Sequence, residues 1–238
     1  MDNSRIPGAW PVPSAPDAAA ERVTEFLRKV YAWMCAGLAI SGLVAFQVAG
    51  SPAIVGYLVS HQLVYLGLFV AEIGLVFYLS ARAARMDAST ATALFVGYAA
   101  LNGVTLSFVL LAYTGQSLAS TFVVTAGMFG AMALYGSTTK RSLAGFGQFL
   151  FMGLVGIVLA SLVGLFWHNS ALQFVIAAVG VIVFTGLAAW DAQRLKQMAL
   201  ATPEGQVGSL AIVGALALYL DFINLFLSLL FLFGNRRE

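Results

Sequence analysis

Residues 209–233 read SLAIVGALALYLDFINLFLSLLFLF, twenty-five residues with one charged side chain, Asp221. A helix of about 20 apolar residues crosses the ~30 Å hydrocarbon core of a bilayer, so this stretch reads as a transmembrane helix. It has none of the polar–apolar alternation of a membrane β-strand. Asp221 falls near its middle, in Leu218-Tyr219-Leu220-Asp221-Phe222-Ile223-Asn224. An ionisable group at that depth costs a few kcal/mol unless it is paired or hydrated, which makes it a functional candidate by default. Asn224 and Ser228 follow at i+3 and i+7, on the same helical face. That stripe must face protein or water and not lipid. The plainer alternative is a buried, hydrogen-bonded aspartate that ties a bundle together.

Six more stretches of this kind precede it: Val30–Ala49, Leu63–Ser80, Thr90–Tyr113, Ala119–Ser137, Gly145–Trp167 and Ala171–Trp190. The whole chain is 61% hydrophobic and 9% charged, against about 25% charged in a soluble domain. The expected fold is all-α: a polytopic membrane protein with seven spans occupying residues 30–238. Residues 1–29 are expected to be a cytoplasmic tail with a short polar lead-in helix over Ala18–Lys29. The tail holds four of the six prolines (Pro7, Pro11, Pro13 and Pro16) and no apolar core, so it reads as largely disordered and not as a signal peptide. Small residues at four-residue spacing in span five, Gly156, Ala160 and Gly164, read as a helix-packing face.

The basic residues set an orientation. Arg5, Arg22, Arg28 and Lys29 precede span one, Arg82 and Arg85 follow span two, Lys140 and Arg141 follow span four, and Arg194 and Lys196 follow span six. The loops after spans one, three and five contain no Lys or Arg. Cytoplasmic loops retain positive charge, so the N-terminus is expected in the cytoplasm. The C-terminal pair Arg236 and Arg237 runs against this bias if span seven crosses fully, and a re-entrant last segment would remove the conflict. A full crossing is the preferred reading, because 25 residues are long enough.

Two further carboxylates lie in or beside spans. Asp191 closes span six in Trp190-Asp191-Ala192-Gln193-Arg194, where it can be hydrated or pair with Arg194 at i+3. Glu72 lies inside span two. Arg82 and Arg85 could reach Asp191 at the cytoplasmic mouth, or serve only as positive-inside anchors. One cysteine, Cys35, excludes an intramolecular disulfide and a cysteine metal cluster. His61 and His168 are isolated in outer loops. No phosphate-binding loop and no basic patch with interleaved aromatics occurs, so nucleotide and nucleic-acid binding have no support. No cofactor is expected, and no enzymatic activity.

The run from Ala215 to Leu227, and the ending Trp190-Asp191-Ala192-Gln193, resemble the Bax-inhibitor-1-like membrane family, and the order of spans follows that family along nearly the whole chain. The resemblance implies six helices wrapped around a central seventh, and a pH-sensitive calcium leak in an inner or plasma-type membrane. It implies that Asp191 and Asp221 form a proton-sharing pair, that an arginine at the end of span two latches the cytoplasmic mouth, with Arg82 and Arg85 both fitting, and that Glu72 is a further acidic position. Many relatives carry a basic residue ten positions beyond the span-seven aspartate. Here that place is Phe231, so Glu72 lacks this counter-charge and is expected to be neutral.

Two close carboxylates in a low-dielectric site do not readily ionise together. When the shared proton leaves, the added charge can draw in an arginine or a hard cation. Calcium takes six to eight oxygen ligands, so Asp191 and Asp221 would form only a weak site, completed by water and Asn224 or carbonyls. Two rivals remain. An intramembrane aspartyl protease would also use one aspartate in each of two spans, but it carries Gly-x-Gly-Asp where this chain has Leu218-Tyr219-Leu220-Asp221. A non-transporting regulator that binds a membrane protease would leave the aspartates dispensable. A retinal receptor is excluded, because span seven has no lysine.

Overall fold

The computed structural model describes residues 15–82, 85–167, 169–201 and 207–237. The described residues form eight helices: α1 Ala15–Ala49, α2 Pro52–Ser60, α3 Gln62–Arg82, α4 Ala88–Ala112, α5 Gly115–Thr138, α6 Ala144–Phe166, α7 Ser170–Ala201 and α8 Val207–Phe233. Seven of them, all but α2, are long and apolar enough to cross a membrane. The seven-span, all-α expectation holds. The short helix α2 was not anticipated: Pro52 opens it at a position where a missing N–H costs nothing.

The starts of two other helices are set by side chains. Asp87 accepts from the Thr90 N–H at 3.0 Å and from the Thr90 hydroxyl at 2.8 Å to start α4. Thr114 accepts from the Ser117 N–H at 3.3 Å to start α5. The lead-in segment is no separate helix. It is the first part of α1, and Phe26 on it is buried. The tail expected over the first residues lies outside the described residues up to residue 14.

α8 is the axis of the bundle. It packs against α7, α1, α5, α4 and α3, while α6 lies on α7. Leu216, Leu218, Tyr219 and Leu225 of α8 are fully enclosed. The outer helices invert the usual arrangement: Leu63, Phe77, Phe149 and Leu159 of α3 and α6 are exposed, as lipid-facing side chains are. The face of α6 that packs differs from the expected stripe. Gly156 has no neighbour within 4 Å of its Cβ position, whereas Gly147 lies against the Trp190 ring and Gly153 has Val183 Cγ2 at 3.0 Å from its Cβ position. Spacing alone does not say which side of a uniformly apolar helix meets its neighbour.

The C-terminal segment returns no way into the bundle. Tyr113 and Arg236 form an antiparallel bridge, with Thr114 N donating to Asn235 O at 3.1 Å and Arg237 N to Ala112 O at 2.9 Å. Asn235 N also donates to Ser117 Oγ at 2.9 Å. α8 therefore runs the full depth and ends beside the α4–α5 turn.

Candidate functional site

The ends of spans six and seven determine whether the two aspartates can meet. α7 does not stop at Trp190. It continues for ten residues past Asp191, to Ala201, and α8 begins at Val207, fourteen residues before Asp221. The polar link expected between these spans is thus mostly helix. At 1.5 Å per residue, Asp191 lies about 15 Å before the end of α7 and Asp221 about 21 Å after the start of α8. In antiparallel neighbours these heights nearly coincide.

The side chains meet. Asp191 is 8% exposed and Asp221 is 5% exposed, and their carboxyl groups lie against one another. Among the described residues Asp221 Oδ2 is buried without a hydrogen-bond partner. Asp191 has a further neighbour on its own helix: Arg194 Nη1 stands 3.7 Å from Asp191 Oδ1, with its guanidinium over the Trp190 ring at 5.4 Å. This is the i+3 pair anticipated in sequence.

What holds Asp191 in place is the rest of its motif. Gln193 Nε2 donates to the Arg141 carbonyl at 2.8 Å, and Gln193 Oε1 accepts from the Leu143 N–H at 2.8 Å. One side chain thereby satisfies both a donor and an acceptor of the α5–α6 turn. Lys196 Nζ donates to the Ser137 carbonyl at 2.8 Å, in the last turn of α5, where orphan carbonyls and the negative helix end favour a cation. Higher up, α5 and α7 touch backbone to backbone: a Cβ at Gly136 would collide with the carbonyl of Ala189. Gln193, Lys196 and Gly136 were not singled out in sequence. Only the glutamine carried a signal, its fixed place after the aspartate.

The latch candidates lie elsewhere. Arg82 is exposed, over the Tyr78 ring at 5.7 Å, and Arg85 is exposed in the turn before α4. Among the described residues the ion pair to Asp191 comes from Arg194 and from neither of these. Asn224 turns onto its own helix, with Nδ2 donating to the Leu220 carbonyl at 2.8 Å, and Ser228 donates to the Asn224 carbonyl at 2.7 Å. Among the described residues no group of three or more His, Cys, Asp or Glu side chains converges to hold a metal.

Glu72 is buried, at 7% exposure, on a helix whose other faces are mostly exposed. Its place is explained by α4. Thr105 Oγ1 lies 3.0 Å from Glu72 Oε1, and Asn102 Nδ2 lies 3.5 Å from Glu72 Oε2. Asn102 Oδ1 in turn accepts from the Tyr219 hydroxyl at 2.7 Å, and that hydroxyl meets Ser41 Oγ at 2.7 Å. A polar chain thus crosses from α3 through α4 to α8 and α1. Glu72 thus meets neutral donors on a neighbouring helix, which spacing along α8 could not disclose.

The profile of the family described as Inhibitor of apoptosis-promoting Bax1 matches residues 23–238. The chain is 50% identical over 215 residues to the inner membrane protein YbhL of Escherichia coli (strain K12), covering 89% of this chain and 92% of that one. It is 43% identical over 219 residues to a protein of Deinococcus radiodurans, covering 92% and 93%. It is 39% identical over 216 residues to the membrane protein SpyM3_0260 of Streptococcus pyogenes serotype M3, covering 90% and 93%. With seven membrane-length helices around α8 and a family match over nearly its whole length, the chain belongs to the Bax inhibitor-1-like family of integral membrane proteins.

Proposed function

We propose that this protein is a pH-sensitive calcium, or more broadly cation, leak channel of an inner membrane, with its N-terminus in the cytoplasm. The observation that carries the reading is the buried contact between the Asp191 and Asp221 carboxyls. With one proton shared, the pair is compact and carries one charge. Loss of that proton leaves two charges in a site of low dielectric, where they repel unless a cation or a guanidinium reaches them. Arg194 is already beside Asp191. Arg82 and Arg85, exposed at the same end, are within the repertoire of groups that could swing to the pair once it ionises.

A permeant ion must enter and also leave, and two carboxylates without a third acidic ligand suit transit better than storage. Asn224 and Glu72 are the further polar residues of the path. The inner-membrane assignment rests on the likeness to the inner membrane protein YbhL of Escherichia coli, and the orientation on the bias of Lys and Arg toward one set of loops.

The test is calcium entry into liposomes that contain the purified protein and a trapped calcium indicator. The wild type should conduct with a pH dependence that Asp221→Asn flattens. Absence of protein-dependent flux at every pH would overturn the channel reading and favour the rival of a membrane regulator acting on a protease or another membrane protein.

A further inference from the structure

The seam between α3 and α4 carries a site that the aspartate pair does not use. A cavity of about 430 Å³, lined by Leu58, Val59, Gln62, Tyr65 and Phe108, lies toward the α2 end of this seam. A groove of about 440 Å³, lined by Leu75, Gly97, Leu101 and Val104 among others, lies toward the opposite end. Glu72, Asn102 and Thr105 stand between them.

The hydrogen-bond geometry at this waist serves two protonation states equally. Asn102 Oδ1 can only accept, so Tyr219 donates to it, and the Asn102 amide then donates to Glu72 Oε2. The Thr105 hydroxyl has one proton and two acceptors in reach: Glu72 Oε1 at 3.0 Å and the Asn102 carbonyl oxygen at 2.9 Å. When Glu72 is ionised, Thr105 donates to it. When Glu72 carries a proton, that proton points to Thr105 Oγ1, and the hydroxyl turns to the Asn102 carbonyl. No heavy atom moves, and no buried polar group is orphaned in either state, so neither state carries the penalty that an unmatched partner would impose.

We propose that Glu72 is a reversible proton-binding site in which the Thr105 hydroxyl switches between the carboxyl group and the Asn102 carbonyl as the proton comes and goes. This deepens the reading of Glu72 as a polar residue of the path and does not depend on the aspartate pair. The titratable groups around it are phenols: Tyr65 on its own helix, Tyr98 on α4 and Tyr219 on α8. α1 contributes the Ser41 hydroxyl. His61, before α3, is stacked on Tyr57 and bonded to its carbonyl at 3.0 Å.

Infrared spectroscopy of the purified protein in lipid nanodiscs, with glutamate labelled at its side-chain carboxyl carbon, separates Glu72 from both aspartates. A labelled carboxylic-acid band that grows on acidification and is lost in Glu72→Gln is the expected result. Thr105→Ser should keep the band in place, and Thr105→Val should move it to higher frequency, because the acid proton loses its acceptor. No pH-dependent labelled band, a band that survives Glu72→Gln, or the same band in Thr105→Val would overturn the proposal. Failure of calcium flux would not affect this readout, and loss of the band would not affect the aspartate pair. Should Glu72→Gln not fold, the comparison of Thr105→Ser with Thr105→Val decides alone.

Discussion

Gln193 Nε2 donates to the carbonyl of Arg141 at 2.8 Å while its Oε1 accepts from Leu143 N–H at 2.8 Å, so the residue two places beyond Asp191 closes the turn between α5 and α6. Removing it leaves the Leu143 N–H and the Arg141 carbonyl to find other partners at a half-buried site. Gln193→Ala should lower stability by roughly 1–3 kcal/mol, read as a drop in melting temperature in detergent. Gln193→Glu keeps the acceptor and loses the donor, and should fall between the two. Equal melting temperatures for all three would show that the turn is held without this side chain.

Asp191 and Asp221 should behave as one unit. If they share a proton, removing either carboxyl relieves the repulsion felt by the other. Asp191→Asn and Asp221→Asn should each flatten the pH dependence of calcium flux, and the double variant should add little, as expected for neighbours coupled by about 0.5–3 kcal/mol. Additive effects across the cycle would make them independent sites. Arg194→Ala, Arg82→Ala and Arg85→Ala extend the cycle: the arginine that meets the ionised pair should raise flux when lost, at the pH where both carboxyls are charged.

The close approach of α5 to α7 gives a prediction about packing. Gly136→Ala places a methyl group against the Ala189 carbonyl, a backbone atom that cannot rotate away. It should cost roughly 1–3 kcal/mol through forced backbone shifts. Gly127→Ala and Gly130→Ala, on the same helix with no neighbour within 4 Å, should be neutral or stabilising by up to about 1 kcal/mol. Thermal denaturation of the three variants side by side decides it.

Asp87 supplies a control for the pH experiments. Hydrogen bonds from Ser89 and Thr90 hold its carboxyl well below the usual carboxylate range. A depressed folded-state value means that its contribution is present above the ordinary aspartate range and is lost only as pH falls through the depressed value. The α4 cap therefore stays ionised through mild acidification. Asp87→Asn should leave the pH dependence of flux unchanged, and a shifted profile in that variant would place part of the response at this cap.

The bridge between Tyr113 and Arg236 bears on topology. The C-terminus ends beside the α4–α5 turn, at the end of the bundle whose loops lack Lys and Arg. A reporter fused after Glu238 should be active only outside the cytoplasm. Activity confined to the cytoplasm would invert the proposed orientation.

Hydropathy and charge, read along the chain, were enough to determine seven spans, their helical class and the residues that do not belong in lipid. The reason is that the bilayer acts on each segment separately: a run of about 20 apolar residues is decided by its own transfer free energy. Asp221 and Glu72 stood out on the same ground. Where these residues point was decided only by tertiary structure. Asp191 read as the end of a span because Gln193, Arg194 and Lys196 are polar, yet α7 continues to Ala201 because those side chains are met by the α5–α6 turn, the end of α5 and Asp191 itself. Glu72 read as lacking a partner because Phe231 is apolar, yet its partners Asn102 and Thr105 come from α4. A hydrogen bond between helices depends on their relative rotation and height, and in uniformly apolar helices neither is written in the periodicity of either one.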